Sequence, residues 1–320
     1  MNHIIQYFYL DYHNNRYGVN EKRFNKRNEY YFRCIVNFYY SCIENFKNDD
    51  YKLYFVCNDT ENIEFIPNFS FKEFLLKNNI TIINKKSKYV PKEQIWAGSM
   101  YLFDAIEAVL QVYKDNINFE DNFIFFDNDV LFNSPLNEIK ILYDKWDIMV
   151  YDISHEYIKG NKWVVNFNNI DNKYLDDNNF KPYGGEFLAI KGSYIKNFFD
   201  EFLKVYPQDG LITEEHYISY LVSYRLSTCK IKLINNYLKR IWSTYRYSNL
   251  EDGDYNLNIL HLPSEKEYGL YFLNKYLIKS RKYDKKKVLR YIGLKERYLH
   301  LKIIILLKKI IKKAKTLLRE

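Results

Sequence analysis

The sequence predicts an α/β fold with a largely parallel central sheet, ending in a basic amphipathic helix. Three observations predict it. Short apolar segments alternate with segments of helical periodicity through the first half of the chain. One of the apolar segments, FIFFDNDVLF (123–132), runs straight into Asp127 and Asp129. The excess positive charge is confined to the last stretch, where aliphatic residues and lysines recur at helical spacing.

The elements follow in order. HIIQYFYL (3–10) reads as a first strand, followed by a polar stretch. Tyr30 to Phe46 reads as a helix, with Tyr31, Cys34, Ile35, Phe38, Cys42 and Ile43 on one face. YKLYFVCND (51–59) is a second strand, FSFKEFLLKNN (69–79) a short helix and ITIINK (80–85) a third strand. Ala97 to Tyr113 reads as a helix, NFIFFDND (122–129) as a fourth strand and WDIMVYD (146–152) as a fifth. Beyond Asp152 the pattern loosens. KWVVNFNN (162–169) and EFLAIKG (186–192) read as strands, and SYIKNFFDEFLKVY (193–206) as a helix. Residues 213–225 read as another helix, with Thr213 at its N-cap. KIKLINNY and LNILHLP are short strands. Neither a repeat nor a Pro/Gly-rich linker interrupts the chain, which divides into a body over 1–278 and a helical tail over 279–320.

Composition narrows the class. A chain of 320 residues with 47% hydrophobic residues can bury a large core and is not intrinsically disordered. The four cysteines form no CxxC pair, which suits buried thiols in a cytoplasmic protein better than a disulfide or zinc framework. The opening MNHIIQYFYLDYH lacks a basic region and a long apolar core, so no secretion signal is expected, and no apolar run is long enough to span a bilayer. Of 48 basic and 40 acidic residues, 16 and 3 fall in 279–320; residues 1–278 carry the remaining 32 and 37, a net of −5. A mildly acidic body with a basic appendage argues against a nucleic-acid-binding core.

Two aspartates at the mouth of a buried strand require an explanation. Ligands of open α/β sheets bind beyond the carboxyl ends of the strands. Side chains two apart on a strand share a face, so Asp127 and Asp129 can point into one crevice. Such a pair repels itself unless a cation lies close. Mg²⁺ or Mn²⁺ prefers oxygen ligands and bridges carboxylates to substrate phosphates, so the pattern points to a metal–diphosphate site. An EF-hand loop fails at Leu131 and Phe132, where Asp or Asn and then Gly would be needed. A haloacid-dehalogenase phosphatase places its DxD near the N-terminus, with Thr or Val where this chain has Leu131. The plainest alternative is a pair of solvated turn acids ahead of a helix in NSPLNEIKILYDKW.

In context, FIFFDNDVLF followed by WDIMVYD resembles the DXD region of GT-A glycosyltransferases, which have a Rossmann-like sheet. KPYGGEFLAIKGSY (181–194) is similar to the glycine-containing acceptor-side motif of that superfamily, and TEEHYISYLV (213–222) to its acidic pair at the start of a helix. The likeness covers roughly residues 1–275 and is greatest to transferases of bacterial lipopolysaccharide, O-antigen or capsule synthesis. It implies that Asp129 ligates Mn²⁺ or Mg²⁺, that Asp127 ligates it or contacts the ribose, and that His261 is a further ligand. It implies close approach of the nucleotide at Gly98 and Ser99, and of donor sugar or acceptor at Gly184 and Gly185. Glu186, Glu214 and Glu215 become the acids near the acceptor, with Glu215 as general base if the reaction inverts configuration. Each position also has a plainer reading: a strand-end histidine at 261, N-capping by Ser99, turn glycines at 184 and 185, and dipole-complementing acids at 214 and 215.

The expected partners are a nucleotide-sugar, with a UDP-sugar first among donors, and a glycan or lipid-linked glycan acceptor. Leu301 to Arg319 places Ile303, Leu306, Leu307, Ile310, Ile311, Ala314, Leu317 and Leu318 on one helical arc and six basic residues opposite, with Ile304 and Ile305 as exceptions. That is the pattern of a helix lying on an anionic membrane surface, at the inner face of the cytoplasmic membrane; the alternative is a helix packed on protein. Two other functions fit less well. A sugar-phosphate nucleotidyltransferase would need a glycine-rich basic loop after the first strand, where YFYLDYHNNRYG has one glycine. A non-catalytic membrane-bound scaffold is the third, and Mn²⁺-dependent binding of a nucleoside diphosphate would separate it from the two enzymes.

Overall fold

The computed structural model describes residues 1–12, 21–47, 50–91, 97–155, 180–208, 210–243 and 248–317. Ten strands form two sheets among them. The large sheet has the order β3-β2-β1-β4-β7-β6-β8, from β1 (Asn2–Phe8), β2 (Tyr51–Cys57), β3 (Thr81–Asn84), β4 (Asn122–Phe126), β6 (Ile148–Asp152), β7 (Tyr183–Lys191) and β8 (Ile231–Leu233). β7 runs antiparallel to both of its neighbours and every other pairing in this sheet is parallel. The small sheet has the order β5-β10-β9, from β5 (Val130–Phe132), β9 (Leu238–Arg240) and β10 (Ile259–His261).

Helices cover the large sheet, so β1 and β4 are buried along their whole length, as their nearly continuous apolar sequences require. α1 (Glu21–Asn45), α2 (Phe71–Lys77), α3 (Tyr101–Tyr113), α4 (Ile195–Val205) and α5 (Glu214–Tyr220) share one core with it. Phe103 of α3 stacks on Phe202 of α4 with ring centroids 3.7 Å apart. A second core lies under the small sheet, where Leu131, Leu260 and Leu262 meet Leu270, Leu273 and Leu277 of α6 (Gly269–Ser280) and Val288, Leu289 and Ile292 of α7 (Lys285–Ile292). The last helix is α8 (Leu299–Leu317). The division expected at 278/279 falls inside α6.

Most expected elements appear within a few residues of their predicted places. The first helix begins at Glu21 rather than Tyr30. The helix expected over 213–225 is α-helical to Tyr220 and then widens into a π turn over Leu221–Arg225. Thr213 occupies its N-cap position, but its hydroxyl makes no capping bond. Residues 133–146 form short 3₁₀ turns instead of an α-helix. The strand expected over 162–169 lies outside the described residues.

The largest departure matters most for the site. The strand expected over 122–129 ends at Phe126, and Val130 begins a strand of the other sheet. Asp127 causes the break: its Oδ1 accepts from the Asn128 backbone N–H at 2.6 Å and from the Asn128 amide at 3.2 Å. A side chain that satisfies the following backbone amide turns the chain out of a ladder. The DND turn is thus the crossing from the large sheet to the small one.

Candidate active site

That crossing brings distant segments together through backbone register. Leu262 N–H donates to the Asp129 carbonyl at 3.0 Å, and His261 pairs with Val130 on one side and Arg240 on the other. On the large sheet, Asp127 N–H donates to the Glu186 carbonyl at 3.2 Å. Asp127, Asp129, Glu186, Arg240 and His261 therefore meet at the carboxyl end of β4, where an α/β sheet holds its ligands.

Asp127, Asp129 and His261 each direct one ligand atom to a common point, all within 4.8 Å of one another. His261 Nε2 lies 3.3 Å from Asp129 Oδ1 and 3.7 Å from Asp127 Oδ2. Asp129 is fully buried, while the Asp127 side chain is 35% exposed, so Asp127 forms the open side of the cluster. Among the described residues, His261 Nε2 and both carboxylate oxygens of Asp129 are buried, and their close contacts are the ion pairs between them and from Asp129 to Lys266. Two carboxylates and an imidazole nitrogen brought this close in a largely buried cluster can hold a cation. The donor set of two carboxylates and an imidazole suits a divalent cation.

Charges around the cluster are closely matched. Lys266 Nζ lies 3.1 Å from Asp129 Oδ2 and sits over the Tyr31 ring. Burial alone would raise the Asp129 carboxyl, but Lys266 and His261 hold it well below the ordinary carboxylate range. Burial likewise opposes the charges on His261 and Lys266, and Asp129 overrides it, holding both well above their usual values. His261 Nδ1 donates to Glu186 Oε1 at 3.1 Å. Arg240 clamps the same carboxylate with Nε at 2.8 Å and Nη2 at 2.7 Å. Against its burial, Arg240 and then His261 bring Glu186 down to about 2.

Arg240 Nη2 also reaches Glu215 Oε1 at 2.7 Å, and the same oxygen accepts from Gly185 N–H at 3.2 Å. Glu215 is thereby held on both sides. Among the described residues no cation pairs with Glu214; burial and then the neighbouring Glu215 charge push it up to about 8, and the Ser99 hydroxyl beside it offsets a little of this. Ser99 lies in the turn Ala97–Met100, and the N-cap position of α3 belongs to Met100, so the capping reading of Ser99 does not hold.

The glycines are explained by space. A Cβ on Gly184 would stand 2.0 Å from Glu186 Oε2, and one on Gly185 2.2 Å from Glu214 Oε1. Both lie in strand β7 rather than in a turn. Gly98 is different, because a Cβ there would meet Tyr9 at an ordinary 3.6 Å. The structure thus brings Asp127, Asp129, Gly184, Gly185, Glu186, Glu214, Glu215 and His261 together, with Ser99 beside Glu214, while Gly98 meets Tyr9. It adds Arg240 and Lys266, which no motif marked: Arg240 meets Glu186 from 54 residues away, and Lys266 sits in an ordinary charged run.

No family model matches the chain, and no curated protein matches it. Solved structures do resemble it. The WbbM bifunctional glycosyltransferase, in its apo form, superposes with a TM-score of 0.50 at 11% identity over 87% of this chain, which spans about half of that protein, 51% of its length. Mouse xyloside xylosyltransferase 1 gives a TM-score of 0.47 at 10% identity, covering 82% of this chain and 97% of the other. The galactosyltransferase LgtC, solved with donor and acceptor sugar analogues, gives 0.47 at 12% identity, covering 92% and 97%. With a mostly parallel sheet flanked by helices and the DND turn at the end of β4, the chain has the GT-A glycosyltransferase fold.

Proposed function

We propose that the chain is a metal-dependent glycosyltransferase. It moves a sugar from a nucleotide-sugar, with UDP-sugars as the first donors to test, to a glycan or lipid-linked glycan acceptor of cell-surface polysaccharide synthesis. The observation that carries this reading is the convergence of one ligand atom each from Asp127, Asp129 and His261 within 4.8 Å, two of the three residues being buried.

Mn²⁺ or Mg²⁺ held by these three residues would supply charge neutralisation for the departing diphosphate. Lys266, already paired with Asp129 and only about a quarter exposed, adds a fixed cation on the same side. Gly184 and Gly185 let the Glu186 and Glu214 carboxylates pack against the β7 backbone, beside the place where donor sugar and acceptor would be aligned, and that alignment supplies much of the rate enhancement. Glu215 was the base expected from the resemblance. Its engagement with Arg240 and Gly185 N–H suits it better to holding the strand and helix together. Glu214, brought close to neutrality, is better matched to taking a proton from an acceptor hydroxyl. The reaction belongs on the cytoplasmic side, at the inner membrane face where lipid-linked glycans are assembled, with the basic tail as the contact.

The test is a donor-hydrolysis screen over UDP-, GDP-, CMP- and dTDP-sugars with Mn²⁺. One nucleotide class should turn over in the native protein, and Asp129→Asn should abolish it while leaving far-UV circular dichroism unchanged. Full activity in Asp129→Asn, or after exhaustive chelation, would remove the metal-site reading.

A further inference from the structure

α8 is seated on the body by the side that its sequence would assign to solvent. Leu301 and Ile305 are buried, at 1% and 6% exposure. One turn on, Lys308 donates to the Glu267 carbonyl at 2.8 Å and lies over the rings of Tyr268, Tyr271 and Phe272. At 100° per residue, positions 301, 305 and 308 share one side of the helix. This accounts for Ile305, which the amphipathic pattern left as an exception. The aliphatic arc is turned outward: Leu299, Ile303, Leu306, Leu307, Ile310 and Ile311 are each 50–72% exposed.

We propose that this outward arc is a docking surface for an anionic lipid bilayer. Contiguous exposed apolar surface on this scale marks an interaction face. No described helix is long and apolar enough to cross a membrane, so the arc lies against its partner. Charge selects the partner. Exposed Lys302 and Lys309 edge the arc, and Lys285, Lys286 and Lys287 are exposed on α7. With 16 basic and 3 acidic residues in 279–320, a second copy of the chain would set two cationic surfaces against each other, whereas an anionic leaflet attracts them. The docked helix would also be bolted to the site. Lys308 rests on the segment that continues directly from Lys266, and Arg297 pairs at 2.5 Å with the buried Glu265 beside it. The inference rests on the proposed function only for its lipid-linked acceptor.

The test uses the full chain, without donor or metal, in co-sedimentation with vesicles of phosphatidylcholine alone or with phosphatidylglycerol. The native protein should bind the anionic vesicles at least ~10-fold more tightly, and less so in high salt. The double variant Leu306→Ser/Ile310→Ser should lose most of this binding with an unchanged melting temperature, since both residues are exposed. Equal binding by the variant, no preference for anionic lipid, or a native dimer in ultracentrifugation that the variant dissociates would overturn the proposal. Donor hydrolysis measured on the same variant separates the two readings: persistence with lost vesicle binding leaves the enzyme intact, and absence in a vesicle-binding native protein leaves the surface intact.

Discussion

His261 donates its Nδ1–H to Glu186 Oε1 at 3.1 Å, and this single contact fixes which ring nitrogen faces the aspartates. A carboxylate only accepts, so Nδ1 carries a proton, and Nε2 is the nitrogen turned to Asp127 and Asp129. Glu186 is in turn immobilised by two Arg240 nitrogens, so the imidazole is oriented through a chain reaching from β10 to β7 and β9. Outer partners of this kind set the ring orientation and basicity of a metal-ligating histidine.

Glu186→Gln should therefore weaken Mn²⁺ binding by about 10- to 100-fold without removing the three ligands. Titration followed by the electron paramagnetic resonance of free Mn²⁺ reads this directly, without donor or acceptor. An affinity within a factor of two of native would mean that Glu186 serves only the packing of β7.

Metal binding should release a proton. Without an ion, Asp129 and Glu186 hold His261 protonated well above its ordinary range, and a ligand nitrogen must lose that proton. Calorimetry in buffers of different ionisation enthalpy should find about one proton released per Mn²⁺ near neutral pH, and affinity that rises with pH. The sign follows from competition: below the raised histidine value, the ion must displace a proton. His261→Gln should bind more weakly and release none. A pH-independent affinity in the native protein would exclude His261 as a ligand.

The alternation of apolar runs sufficed for the parallel half of the sheet because strands buried on both faces must be nearly all apolar, as in FIFF and KLYFVC. Asp127 and Asp129 stood out because carboxylates at the end of such a run have no packing role. The sheet crossing did not stand out, since Val130, Leu131 and Phe132 are as apolar as the strand before them, and only the Asp127–Asn128 side-chain bond separates the two. Arg240 was illegible for another reason. Its strand is three residues long, below the length at which a period can be read, and its partners Glu186 and Glu215 become neighbours only through tertiary register. In the tail, the amphipathic pattern identified the helix but not which side meets the body, because Lys308 sets its ammonium over aromatic rings.

The glycines of β7 should separate from Gly98 by stability. Gly184→Ala drives a methyl into a Glu186 carboxylate that Arg240 and His261 already hold, and Gly185→Ala drives one into the buried Glu214 carboxylate. Each should cost about 1–3 kcal/mol in chemical denaturation, the range for overpacking. Gly98→Ala, with only an ordinary contact to Tyr9, should fall within about 0.5 kcal/mol of native. Equal costs at all three positions would mean that the carboxylates yield freely and that the bare backbone is not needed to pack them.

Glu214 should leave its signature on stability as a function of pH. Its folded-state value is raised to about 8 from an ordinary 4.5, so the folded protein holds a proton that the unfolded chain gives up earlier. Stability from this group is fully present below pH about 4.5, declines as pH rises between there and about 8, and is flat beyond. Glu214→Gln keeps the shape of the neutral acid and cannot ionise. It should be near native in stability at pH 5, more stable than native at pH 8.5, and should remove most of the slope between them; a base at this position also requires that the variant lose transfer activity. Urea denaturation at the two pH values decides the matter. Parallel curves for native and variant would mean that Glu214 ionises normally in the folded protein, which would remove the argument for it as the proton acceptor and return that role to Glu215.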